Sequence, residues 1–84
     1  MDFHFYIIYS PSADKFYYGH TQDLHARIIR HNQKSKGFTG NINDWEILYT
    51  ELFQSKTEAY ARERQVKNWK SRKRVVALIE KKSD

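Results

Sequence analysis

The chain opens on an unbroken apolar run, Phe5-Tyr6-Ile7-Ile8-Tyr9, rich in aromatic and β-branched residues. Such a run, without polar alternation, predicts a strand covered on both faces and therefore central. Ser10 to Asp14 supplies turn chemistry around Pro11, and Lys15-Phe16-Tyr17-Tyr18-Gly19 predicts a second strand, antiparallel to the first. Alternation puts Tyr6 and Ile8 on one face and Tyr17 on a face with Lys15 and Gly19. Gly19 allows either a sharp exit from the strand or a close approach to its backbone. Thr21 or Asp23 can cap a helix to about Asn32, with Leu24 and Ile28 facing inward. Gln33 to Asp44 is polar, carries Gly37 and Gly40, and predicts a loop. Trp45 to Phe53 predicts a third strand. Ser55 and Glu58 have capping-box spacing at the head of a helix through about Trp69. Ser71 caps a last helix that packs through Val75, Leu78 and Ile79. The order is β-β-α-β-α-α, an α+β fold.

Composition narrows the class. With 84 residues, one domain spanning 1–84 is expected. The absence of cysteine excludes disulfides, thiolate chemistry and Cys-type zinc sites, and fits a reducing cytoplasm. His4 interrupts the opening residues too early for a signal segment, and no apolar run approaches the roughly 20 residues a membrane span needs. A cytoplasmic protein with no membrane partner is expected. The formal charge of +5 favours a polyanionic partner, nucleic acid first.

The placement of that charge sharpens the expectation. Lys67, Lys70, Arg72, Lys73 and Arg74 run from the end of one helix into the start of the next. Cations in a last turn suit the helix dipole, whereas cations in a first turn oppose it by roughly 0.3–1 kcal/mol each. Their presence there favours a nucleic-acid backbone, and Lys34 and Lys36 in the long loop extend the same basic surface.

Two helices also carry charge on their apolar stripes. Arg27 and His31, four apart, share a ridge with Leu24 and Ile28, and Glu63 shares one with Ala59 and Val66. Charged groups on such a stripe are normally paired, snorkelling or bound. An arginine fork suits a phosphate that gains charge in a transition state. Glu63 has two readings: half of an ion pair with Lys67 or Arg62, or the single carboxylate that holds a hydrated Mg²⁺. A buried tyrosine needs a hydrogen-bond partner, which Arg27 or His31 could provide.

His4-Phe5-Tyr6 followed by Tyr17-Tyr18-Gly19 resembles the paired motifs of the GIY-YIG nuclease superfamily. Arg27 lies eight residues after the glycine, His31 twelve after it, and Glu63 matches the family's metal-binding glutamate. The likeness is greatest to small standalone bacterial members, related to the N-terminal domain of the bacterial repair excinuclease. The first motif departs in lacking its glycine and in having Phe5 for isoleucine. His20 stands where the excinuclease has a lysine, and Asn68 is the nearest candidate for a late asparagine.

The resemblance implies a three-stranded antiparallel sheet flanked by helices, and metal-dependent hydrolysis of phosphodiester bonds, with DNA repair as a setting. Catalytic roles would fall to Tyr6, Tyr17, Arg27, His31 and Glu63, the last holding one Mg²⁺ or Mn²⁺, with Gly19 as a structural member of the motif. Either Tyr6 or His31 could be the general base: a phenol ordinarily titrates near about 10 and needs nearby positive charge, while imidazole is better matched. DNA is the expected substrate, with RNA as the alternative and nicking as the primary product. No base-reading module is evident, so specificity would come from DNA shape, a homodimer or a partner protein. The runner-up is a non-catalytic nucleic-acid-binding module on the same fold.

Overall fold

Three strands and three helices form in the expected order: β1 (Phe3–Ser10), β2 (Lys15–Thr21), α1 (Leu24–Asn32), β3 (Glu46–Phe53), α2 (Lys56–Trp69) and α3 (Arg72–Ser83). This computed structural model describes residues 2–33 and 42–83. Lys34 and Lys36, with most of the long loop, lie outside the described residues.

The helix starts follow local capping chemistry. Asp23 caps α1, its carboxylate accepting from Ala26 N at 3.0 Å, while Thr21 Oγ1 accepts from Asp23 N and so supports the cap. Ser55 Oγ accepts from Glu58 N at 3.2 Å and donates to Glu58 Oε1 at 3.0 Å. Lys70 ends α2 in the left-handed region, with φ of 48°, and Ser71 Oγ accepts from Arg74 N to start α3.

The sheet is antiparallel throughout, with order β2-β1-β3, so the uniformly apolar β1 is central. The pairing of β1 with β3 shifts between Ile7 and Ile8, which leaves Leu48 as an extra, bulged residue. β2 does not exit at Gly19. His20 and Thr21 find ladder partners in Phe5 and His4, so the strand runs on and only the close-approach reading of the glycine survives.

Alternation along β1 divides the core in two. Phe5 and Ile7 pack with Tyr49, Val66 and Val75 beneath α2 and α3. Tyr6 and Ile8 pack with Trp45, Tyr17, Leu24 and Ile28 beneath α1. Asn32 fixes the end of α1 by accepting from Trp45 N at 2.7 Å and donating to Trp45 O. Arg62 anchors α2 to β3 through Glu51, at 2.9 Å and 3.0 Å. Among the described residues no helix is long and apolar enough to cross a membrane.

Candidate active site

Tyr6 faces Gly19 across the β1–β2 ladder. The tyrosine ring lies over the glycine: a Cβ at position 19 would stand 2.5 Å from Cζ and closer still to the phenol oxygen. The missing side chain is therefore what lets the phenol cross the edge strand. There Tyr6 Oη meets His31 Nε2 at 2.9 Å, and the edge of the His31 ring is flanked by Tyr17 at 4.8 Å between centroids.

Burial sets the protonation of this pair. It holds the Tyr6 phenol above its ordinary range against the pull of Arg27, with Tyr17 and Glu63 adding to the rise. It also lowers the His31 imidazole below its usual 6.5, assisted by Arg27 and then Arg30. At neutral pH the phenol donates and a neutral imidazole accepts at Nε2, which puts the ring proton on Nδ1.

The sign of the His31 shift has a thermal consequence. Between the folded and unfolded values the unfolded chain binds more protons, so this contribution to stability is complete above about 6.5 and is lost as pH falls through the folded value. Thermal melts from pH 7.5 to 5 should show a falling Tm, with a shallower fall in His31→Gln. Parallel slopes in parent and variant would exclude His31 as the source.

Arg27, one turn before His31, lines a cleft of about 480 Å³ with His20, Thr21, Asp23 and Lys56. Among the described residues no carboxylate forms a salt bridge with its guanidinium. Its fork is thus available to an anion entering the cleft.

Glu63 reaches the same strand from the opposite face. It is buried on α2 beside Ala59 and Val66, under His20. Its Oε1 accepts from His20 Nδ1 at 2.7 Å and its Oε2 from Lys67 Nζ at 2.7 Å. Of the two ion-pair partners offered by the sequence, Lys67 takes the role because it lies one helical turn on, whereas the adjacent Arg62 points round the helix to Glu51. The sequence motifs give His20 no role. Alternation is the signal that could have found it: the residue after Gly19 must project from the other face of β2, toward α2.

One face of this edge strand therefore carries a phenol–imidazole pair with a guanidinium beside it, and the other face a carboxylate. The family comparison settles what this pattern belongs to, since the GIY-YIG catalytic domain matches residues 2–75. The chain belongs to the GIY-YIG nuclease family. The UPF0213 protein of Staphylococcus epidermidis is 31% identical over 95% of the chain and 99% of its own length. That of Staphylococcus aureus is 29% identical over 96% and 100%. The solution NMR structure of the UPF0213 protein BH0048 from Bacillus halodurans superposes with a TM-score of 0.59 at 27% identity, covering 95% of this chain and 84% of that one. The resemblance to small standalone GIY-YIG proteins therefore holds, as does the α+β fold it implied.

Lys67, Lys70 and Arg72 of the basic cluster line one cleft with Lys15, and several of its cations also have partners within the fold. Lys67 serves Glu63, and Arg72 binds Asp14 at 2.5 Å while lying over the Phe16 ring. The Arg74 guanidinium sits 4.4 Å from the Trp69 ring centre. Lys70 and Lys73 are exposed, as is Asn68.

Proposed function

We propose that this GIY-YIG protein, as one domain over residues 1–84, is a metal-dependent endonuclease that nicks DNA. The observation that carries the reading is the Arg27 guanidinium, which lines a cleft, has no salt bridge among the described residues and is close enough to Tyr6 and His31 to bias both titrations. Arg27 would bind the phosphate oxygens and hold the charge that grows there. Tyr6 would take the proton of the attacking water as its own passes to His31 Nε2. Hydroxide oxygen then bonds phosphorus as the bond to the leaving oxygen breaks. This relay needs neither an ionised phenol nor a strongly basic imidazole, which agrees with the directions in which burial moves them.

Among the described residues no three His, Cys, Asp or Glu side chains cluster to hold a metal, so a cation would rely on Glu63 with water and phosphate oxygens. The donor chemistry fits. The Lys67 ammonium, on a stem 46% exposed, already occupies a cation position on Oε2 and can withdraw to solvent. When bound, Mg²⁺ or Mn²⁺ supplies charge for the phosphate and the leaving oxygen. Lys67→Met should accordingly bind Mn²⁺ about 2- to 5-fold more tightly by calorimetry, the worth of a partly exposed ion pair. An unchanged affinity would count against Lys67 as the competing cation.

The second reading is a binding module without cleavage, and the engagement of both Glu63 oxygens favours it. Supercoiled plasmid with Mg²⁺ or Mn²⁺ separates the two. Conversion to the open circle supports the nuclease, and retarded but intact plasmid supports the module.

A further inference from the structure

Tyr60 belongs to neither half of the core. It follows the buried Ala59 on α2, and 45% of its surface is exposed. Its ring leans on His20, with centroids 5.3 Å apart, and the Arg64 guanidinium lies 5.8 Å from its centre. Beside it is a second cleft, of about 420 Å³, lined by His20, Lys56, Thr57 and Tyr60. His20 and Lys56 also line the cleft that holds Arg27, so the two hollows share a wall.

This continuity decides the occupant. A nucleic-acid strand with one phosphate on Arg27 can cross that shared wall and place a neighbouring nucleotide in the second hollow. There it meets an ammonium, an aromatic face and no lining carboxylate. Lys56 makes no salt bridge among the described residues, so it is open to a phosphate. An aromatic face at the rim of a cationic groove takes a base by stacking, whichever base it is. The ring can be reached only by a base that has left its own stack.

We infer that Tyr60 is a stacking platform for an unpaired nucleobase of the strand held at Arg27, with Lys56 contacting its phosphate. The inference rests on the reading of the Arg27 cleft as a nucleic-acid site. It adds that the protein grips its substrate where the strand is frayed, gapped or single.

Fluorescence anisotropy of a labelled single-stranded oligonucleotide, with the full chain in EDTA so that nothing is cut, tests this directly. Tyr60→Ala should bind about 5- to 150-fold more weakly than the parent, the worth of one stacked base. Tyr60→Phe, which keeps the face and loses the hydroxyl, should bind as the parent does. Lys56→Ala should flatten the salt dependence, whereas Tyr60→Ala leaves its slope unchanged. A blunt duplex should not distinguish Tyr60→Ala from the parent. Parental affinity of Tyr60→Ala for the single strand overturns the platform. So does an equal loss in Tyr60→Phe, which would assign the effect to the hydroxyl. If the parent itself binds no nucleic acid, the nuclease reading falls too, whereas binding indifferent to residue 60 removes only the platform.

Discussion

Glu63→Gln is expected to lower divalent-ion-dependent nicking by about 10²–10³-fold while leaving the fold in place. The amide keeps the shape of the carboxylate and an oxygen that can still accept from His20. It removes the charge that a hydrated cation requires. The Lys67 ammonium, already 46% exposed, returns to water at little cost, so the melting temperature should move by only a few degrees. Glu63→Ala should lose the same activity with a larger thermal penalty, because it also strips His20 of its acceptor and leaves a gap beside Ala59 and Val66. Time courses of open-circle formation, read beside thermal melts, check both effects. Parental nicking by Glu63→Gln, with the protein folded, would remove the carboxylate from the chemistry.

Gly19→Ala should disable the protein by a different route. The added methyl would run into Tyr6 Oη and stand 2.5 Å from Cζ and 3.0 Å from Cε2, well inside contact distance. The ring has little room to yield, since Tyr6 is 2% exposed and packed against Ile8 and Trp45. Overpacking of this kind costs about 1–3 kcal/mol, a fall of roughly 5–20 °C in Tm for a chain of this size. The phenol would also be pushed from His31 Nε2, so nicking should drop even below the melting range. Retained Tm and activity would mean that the ring moves aside freely and that its position is unimportant.

Much of this architecture was legible because it is encoded locally. The unalternated β1 announced a central strand, and Asp23, Ser55 and Ser71 marked three helix starts that their side chains do cap. Arg27 with His31, and Glu63 with Lys67, could be paired by helical spacing alone. The end of β2 could not, because Gly19 gives a local signal to stop, whereas the ladder partners Phe5 and His4 lie upstream on another strand. Arg72 was equally opaque. Its sequence neighbours suggest a phosphate ligand, and nothing local foretells that the fold also sets it beside Asp14, whose carboxylate accepts from Tyr9 Oη at 2.6 Å. The His20–Glu63 contact needed both kinds of information, strand alternation and the docking of α2.

A strand that is central in space yet precedes both of its neighbours in the chain has a consequence during synthesis. The turn at Ser10–Asp14 lets β1 and β2 zip together as soon as they leave the ribosome. The other flank of β1 waits for Phe53 to arrive opposite Phe3. Until then the nascent hairpin presents an open row of amides and carbonyls along its most apolar segment, a template for pairing with other chains. Expression yield should therefore respond more to translation speed through β3 and to chaperone supply than to the melting temperature of the finished molecule.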